Sequence, residues 1–386
     1  MNFKEINLLE AFAGIGSQYK ALKNISNEMG WKINHVGMVE WYVYAIMGYI
    51  CIHDPNFSPK EKQMLQIKEN ISLTSKDVIS KNSQLYKKPS YINSYINHSK
   101  NHFNNLFDIN TVSYKNLPKN IDIFTYSFPC QDISVQGLQK GLNRDDNTRS
   151  GLLWQIERIL IEINEEFKTE EKPKYLLMEN VKNLLSKKHI KNYNTWLKKL
   201  DELGYESKTY VLDSSDFNSP QKRSRVFCIS IRKDWKQKTN FVFPTFKKQK
   251  NNKCIKDILE NENKEMKYLD FSNYKFSDYS ISKSNIKRKS ILDYTTFISE
   301  SQVYDINHIG PTLTASGANS RIKIETKENK IRYMTPKECF KYMGFNDQDY
   351  ENIKKSGVVP DNKIIFCSGN SISVEVLENI FKSFIF

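Results

Sequence analysis

The chain has 386 residues, enough for two or three domains and a sizeable buried core. Hydrophobic residues make up 39% and aromatics 12%, which excludes a disordered polar chain, and no apolar run is long enough to span a bilayer. Lysine and arginine number 58 against 44 acids, and the net charge of +14 points to a polyanionic partner, nucleic acid first.

The first half alternates strand and helix patterns. Asn7 to Phe12 reads as a short buried strand, broken by Gly14 and Gly16. Tyr19, Leu22, Ile25 and Met29 then recur at helical spacing. His35 to Val39 reads as a strand and Val43 to His53 as a helix. Ile121 to Tyr126 is a third strand. Leu153, Ile156, Leu160 and Ile163 mark a helix, and Tyr175 to Met178 the next strand. Trp196, Leu200 and Leu203 stripe a helix that Gly204 ends, and strands follow near 209–212 and 226–230. Such alternation predicts an α/β fold with a mostly parallel sheet covered on both faces, Rossmann-like in plan. Residues 54–106 interrupt the rhythm and read as a surface insertion. From Lys236 to Ser290 the alternation is gone, and 14 Lys plus Arg stand against 6 acids. The expected domains are therefore 1–235, a smaller basic domain at 236–330, and a hinge and C-terminal segment at 331–386 whose helix, with Val374, Leu377, Ile380 and Phe381, returns to the first.

Phe12-Ala13-Gly14-Ile15-Gly16 joins the first strand to the first helix. Glycine there lets backbone approach a ligand, and a helix N-terminus adds a polar cradle. Glu40 ends the second strand, where an acid binds ribose hydroxyls in dinucleotide folds. Trp41 follows, suited to lie on an adenine ring. Asp108, before Ile109, reads as the acid of a further strand end, able to accept from an adenine amino group. The GxGxxG form is absent, which argues against NAD. Together these features suggest an adenosine ligand without a pyrophosphate.

The six cysteines are Cys51, Cys130, Cys228, Cys254, Cys339 and Cys367. No two make a CxxC pair and no histidine sits at metal spacing beside them, so no metal is expected. The start Met1-Asn2-Phe3-Lys4 carries no apolar signal core, and a cytoplasmic protein with reduced thiols is expected. Cys130 alone follows a strand, in Tyr126-Ser127-Phe128-Pro129-Cys130-Gln131. A thiol at a strand's carboxyl end faces the ligand crevice of an open α/β sheet, and its thiolate is a nucleophile.

Phe-Pro-Cys-Gln resembles the catalytic motif of cytosine-5 DNA methyltransferases. Four further matches follow the family's order. Phe-Ala-Gly-Ile-Gly at 12–16 resembles its methyl-donor motif, and Glu179-Asn180-Val181 its catalytic acid motif. Gln221-Lys222-Arg223-Ser224-Arg225 resembles QxRxR, and Gly369-Asn370-Ser371-Ile372 the last motif. The stretches 148–154 and 312–321 bring the likeness nearest to mollicute-type enzymes that methylate CG.

The resemblance implies a DNA (cytosine-5-)-methyltransferase that flips a cytosine out of duplex DNA and methylates its carbon 5 through a Cys130 adduct, at CG sites. The implied cofactor is S-adenosyl-L-methionine, with S-adenosyl-L-homocysteine as product. Glu179 would act beside N3 of the base, Arg225 would hold its carbonyl oxygen, and Arg223 completes the catalytic set while touching phosphate or neighbouring structure. The donor set takes in Phe12, Ala13, Gly14, Ile15, Gly16, Glu40, Trp41, Asp108, Ile109, Pro129, Leu152, Asn370 and Ser371. Ser134 and Gln136 would meet DNA from the loop after Cys130, with Gln136 in the vacated place. Thr312, Thr314, Ser316, Gly317, Ala318, Asn319 and Arg321 would enter a groove from the small domain. Lys247, Lys248, Lys250, Lys283, Lys287, Arg288 and Lys289 suit phosphate. The expected partner is double-stranded DNA, bound by a monomer in the nucleoid, either as a solitary methylase or within restriction-modification. An RNA methyltransferase of the same fold is the alternative, and the large basic domain argues against it.

Overall fold

The computed structural model describes residues 3–59, 70–77, 91–129, 150–263, 266–328 and 330–386. Two compact units divide the chain. One is Met1–Leu212 with Ser224–Thr245 and Leu377–Phe386, and the other is Asp213–Arg223 with Phe246–Val376.

The first unit is an α/β layer structure. Its elements in chain order are β1 (Lys4–Ala11), α1 (Ser17–Met29), β2 (Trp31–Val39), α2 (Val43–His53), α3 (Tyr91–Phe103), β3 (Ile123–Tyr126), α4 (Leu153–Glu166), β4 (Tyr175–Val181), α5 (Ile190–Glu202), β5 (Tyr205–Asp213), β6 (Ser224–Arg232) and α6 (Lys233–Thr239). The six-stranded sheet runs β2-β1-β3-β4-β6-β5. β1 pairs in parallel with β2 and β3, and β3 with β4, whereas β6 is antiparallel to β4. Parallel strands covered on both faces read as unbroken apolar runs, and Ile123, Phe124 and Tyr126 of β3 are all buried. A single core cluster joins the sheet to α4 and α5 through Leu160, Ile163, Trp196 and Leu200. α2 has ten buried residues out of eleven, and such a helix must be covered on all sides. α3 supplies part of that cover: Tyr95, Ile96 and Phe103 are buried. The end of the expected surface insertion is thus part of the core.

Two boundaries differ from expectation. The first unit continues past 235 to Thr245, because Phe241 packs edge-on against Tyr175 of β4, with ring centroids 5.5 Å apart. At the other end only Leu377–Phe386 joins this unit, and 331–376 belongs to the second. Phe384 stacks on Tyr175 at 4.2 Å, and the Tyr175 hydroxyl donates to the Ile385 carbonyl at 2.9 Å. Neither anchor has a local signature, since both depend on one distant tyrosine.

The second unit carries a five-stranded sheet, β11-β10-β9-β8-β7, from β7 (Ser280–Ile281), β8 (Lys287–Ser290), β9 (Gln302–Asp305), β10 (Lys323–Lys327) and β11 (Lys330–Tyr333). Helices α7 (Pro336–Lys341), α8 (Asp347–Ser356), α9 (Asp361–Asn370) and α10 (Val374–Phe381) follow, α10 crossing between the two groups of residues. Ile291, Val303 and Ile331 form a small core with Phe271 and Phe276 against it. A buried bidentate pair, Arg332 with Glu338 at 2.7 Å on both arms, fixes the start of α7.

Candidate active site

The parallel order brings the carboxyl ends of β1, β2, β3 and β4 to one edge of the first sheet. The antiparallel β6 places its N-terminal end there too, with Arg225 paired to Val181 in the strand register. A crevice at this edge, where chain connections diverge from β1 to opposite sides, is the usual ligand position in open α/β sheets.

The glycine turn occupies the end of β1. The amides of Phe12 and Ala13 both donate to the Val39 carbonyl, at 2.8 and 3.3 Å. Phe12, Gly14 and Gly16 have positive φ of 56°, 58° and 79°. The two glycines are required for different reasons. A Cβ on Gly14 would meet nothing within 4 Å, so its backbone faces open space. A Cβ on Gly16 would stand 2.3 Å from His53 Nε2. That imidazole closes the back of the turn against the Ile15 carbonyl at 3.2 Å, and burial holds its pKa well below the usual histidine value. Ala13 and Ile15 are buried beneath the turn.

Glu40 follows β2 and turns back onto the same loop. Its carboxylate accepts from the Gly14 amide and the Tyr42 amide, both at 2.8 Å. Asn105 holds the Glu40 backbone at both its amide and carbonyl, at 3.1 and 3.0 Å. Burial pushes the Glu40 pKa up to about 7, against the opposing pull of the amides. Trp41, next in the chain, is partly buried.

Asp108 does not end a strand, contrary to expectation. Asn105 makes one isolated bridge to Met38, and the chain then turns. The Asp108 carboxylate closes that turn, accepting from the Asn110 amide at 3.0 Å and from the side chains of Asn110 and Asn70 at 2.8 and 3.0 Å. Ile109 is buried, and its carbonyl accepts from Arg158 at 3.2 Å. Leu152 ends a short 3-10 turn before α4 and packs against the core.

β3 leads into Ser127-Phe128-Pro129. Cys130, Ser134 and Gln136 lie outside the described residues. The described segment that leads to them is tied down twice. The Asn180 side-chain amide donates to the Phe128 carbonyl at 3.0 Å, and Gln18 donates to the Ser127 hydroxyl at 3.3 Å. Gln18 belongs to α1 and Asn180 to β4, so this segment is braced by the helix after the glycine turn and by the strand bearing Glu179. One residue before Asn180, Glu179 pairs with Arg225, Oε1 to Nε 3.3 Å, both side chains largely buried. Arg225 also donates to the Ser224 carbonyl at 2.9 Å. A carboxyl oriented by an always-charged guanidinium can present a proton or a hydrogen bond in a fixed direction.

Arg223, expected in the catalytic set and against phosphate or neighbouring structure, is 3% exposed and lies against neighbouring structure. Its guanidinium donates to the Leu313 carbonyl at 2.7 Å, Gly369 at 3.1 Å and Ser371 at 2.8 Å. It is a staple inside the second unit. Gln221 is another, accepting from the Leu313 amide at 2.9 Å and donating to the Tyr342 carbonyl at 3.0 Å. The QxRxR motif therefore divides: Gln221 and Arg223 hold the second unit together, while Arg225 faces Glu179 in the first.

The second unit's turn is built on the same staple. Thr312 donates to the Lys222 carbonyl at 2.6 Å. Thr314 closes the turn, its amide donating to the Asn319 carbonyl at 3.2 Å and its hydroxyl to Ser316 at 2.8 Å. Ser316 and Gly317 form an exposed tip, Gly317 at φ 79°, and Ala318–Ser320 make a 3-10 turn. Arg321 is exposed and pairs with Glu300 at 3.0 Å. Ser371 is buried and Asn370 exposed at the end of α9. Gly369 has a role the sequence reading missed: its Cβ would lie 2.3 Å from the Thr314 carbonyl carbon, so α9 touches the turn backbone directly. Three of the lysines expected at phosphate have acidic partners, the exposed Lys248 meeting Asp216 at 3.4 Å. Lys289 is largely buried against Glu325 at 2.9 Å, and Lys287 meets Asp305 at 2.8 Å.

Comparison with known proteins gives the class of this site. A family model described as "C-5 cytosine-specific DNA methylase" matches residues 87–385. The chain is 43% identical to the orphan methyltransferase M.SssI of Spiroplasma monobiae, over 98% of this chain and 96% of that one. It is 34% identical to the type II methyltransferase M2.ScrFI of Lactococcus lactis subsp. cremoris, over 98% of both. The crystal structure of the Schizosaccharomyces pombe Dnmt2 methyltransferase, at 18% identity, has the same fold, with a TM-score of 0.59 over 98% of this chain and 97% of that one. The chain belongs to the C-5 cytosine-specific DNA methylases. It is an enzyme that transfers a methyl group to carbon 5 of cytosine in DNA. Among the described residues no helix is long and apolar enough to cross a membrane.

Proposed function

We propose that this enzyme methylates the cytosine of CG in double-stranded DNA, with S-adenosyl-L-methionine as donor and Cys130 as nucleophile. The observation that carries the residue assignment is the Glu179–Arg225 pair, set beside the braced segment Ser127–Pro129 that leads to Cys130. The donor assignment is supported by the fit of the first crevice. Gly14 offers open backbone, and Glu40 is a buried acceptor beside it. Trp41 follows Glu40 and offers a ring for stacking. S-adenosyl-L-methionine supplies an electrophilic methyl group on a sulfonium when bound.

The protein's part in the chemistry follows from charge. The Cys130 thiolate adds to carbon 6 of the ring, and the ring gains negative charge toward N3. The Glu179 carboxyl offsets that charge by a proton or hydrogen bond at N3, and Arg225 holds both Glu179 and the ring carbonyl oxygen. Carbon 5, now enamine-like, would take the methyl group from the sulfonium, leaving S-adenosyl-L-homocysteine; the carbon 5 proton then passes to water as the carbon 6–sulfur bond breaks to return the thiolate. The balance needs no oxidant and no metal. The target atoms lie inside stacked duplex, so the base must be extruded at about a few kcal/mol. Gln136 takes the vacated place, with Ser134 beside it. The exposed tip at Ser316 and Gly317, with Thr312, Thr314, Ala318, Asn319 and Arg321, reads the site. The CG preference rests on the likeness of 148–154 and 312–321 to the mollicute-type enzymes. A monomer acting in the cytoplasm on nucleoid DNA completes the reading.

Bisulfite sequencing of a plasmid treated with enzyme and donor tests this directly. Protection at CG, abolished by Cys130→Ala, is the expected result. Protection at another sequence would remove the CG assignment, and protection by Cys130→Ala enzyme would remove the mechanism.

A further inference from the structure

The first unit holds a second constellation, away from the crevice, that the methyl-transfer reading does not use. His98 and His102 sit four residues apart on one face of α3, and Asp54 caps the end of α2 opposite them. His98 Nε2 is 2.8 Å and His102 Nε2 3.9 Å from the same Asp54 oxygen, and one ligand atom from each of the three residues lies within 4.8 Å of the others. In a tetrahedral zinc site with bonds of about 2.0–2.1 Å, ligand atoms stand roughly 3.3 Å apart. Two of the three separations bracket that value and the third lies within 4.8 Å, so side-chain rotation would bring all three onto one ion.

We propose that Asp54, His98 and His102 form a transition-metal site, zinc-type in preference, that fastens α3 to the end of α2. Two imidazoles and one carboxylate are a donor set suited to zinc and its first-row neighbours rather than to magnesium or calcium. The rings are already positioned. Phe57 stacks on His98 at 3.9 Å, His98 stacks on His102 at 4.9 Å, and Phe103 meets both edge-on. An open groove beside Asp54 and His98, lined also by Ser58, Ser94 and Asn97, gives water a path to the fourth position. The cysteine-based expectation of no metal overlooked the His-x-x-x-His spacing, which becomes a ligand pair only once 91–103 is a helix.

The test uses the full chain stripped of metal, titrated with zinc by calorimetry and with cobalt by absorption. One equivalent should bind, raise the melting temperature, and give a cobalt spectrum without thiolate charge transfer. His102→Gln changes an exposed side chain and should weaken binding about 100-fold or more, since even loss of an outer-shell partner costs about 10–100-fold. Asp54→Asn should do the same, and serves if His102→Gln alters the metal-free melting temperature. Wild-type affinity in both variants, or a thiolate band that marks a cysteine as ligand, overturns the site. Neither readout involves methyl transfer, so the outcome is separate from that of the bisulfite experiment.

Discussion

Replacing Arg223 by alanine separates a staple from a catalytic arginine. The side chain spans three buried carbonyls, Leu313, Gly369 and Ser371, at 2.7–3.1 Å. A hydrogen bond from a charged group contributes about 1.5–3 kcal/mol, and three on one guanidinium are not additive. Truncation returns the desolvation cost of the arginine but leaves three carbonyls in a dry site. A loss of about 3–5 kcal/mol follows, in line with breaking one side of a buried charged contact. For a unit of this size that lowers the melting temperature by roughly 10 °C. Arg223→Lys should also destabilise, because a single ammonium cannot reach all three carbonyls in the geometry of the fork. The assay is thermal unfolding followed by circular dichroism, beside methyl transfer measured well below the transition. Arg225→Ala is the contrast: it should abolish turnover, and its destabilisation comes from leaving one largely buried carboxylate, Glu179, without its guanidinium rather than three carbonyls without a donor. If Arg223→Ala melts like wild type while its turnover collapses, the staple assignment is wrong and the catalytic one stands.

Glu179→Gln keeps size and one acceptor but cannot hand a proton to N3, so turnover should fall by about 10²–10⁴ with DNA affinity little changed, as read by single-turnover kinetics and a gel-shift titration. Gly369→Ala would place a carbon 2.3 Å from the Thr314 backbone, and the turn at 312–321 must move. DNA discrimination should relax and stability drop by about 1–3 kcal/mol, a prediction that wild-type CG preference together with unchanged melting would refute. Burial raises the folded Glu40 pKa to about 7 from an ordinary carboxyl value of about 4.5, so its contribution to stability is full below about 4.5 and is lost as pH rises through about 7. The melting-temperature difference between wild type and Glu40→Gln should therefore shift against wild type between pH 5 and pH 8, and a difference independent of pH would refute the burial argument.

Local pattern was enough to read most of the first unit, and the ordered motifs carried the resemblance to the methylase family. The short, mostly apolar runs at Leu8–Ala11 and Ile123–Tyr126, each interrupted by one polar residue, read as buried strands, and the helix at Val43–His53 has the bounds its pattern predicts. The motif residues carry their chemistry in their type: a thiol after a strand, a carboxyl at the next strand's end, a glycine turn with a downstream acid. Tertiary structure decided what each of those residues is spent on. Arg223 and Arg225 are two residues apart and identical in type, yet one is enclosed by carbonyls from 313, 369 and 371 and the other meets Glu179. No local pattern distinguishes them, because their partners lie far away in sequence and the choice depends on which wall each side chain enters. The same holds for Asp108, whose expected strand end is a turn closed by Asn110 and Asn70. It holds for Lys289, taken from solvent by Glu325, and for Asn105, whose grip on Glu40 spans 65 residues. Burial and long-range pairing are properties of the packed chain, and they settle roles that composition and spacing leave open.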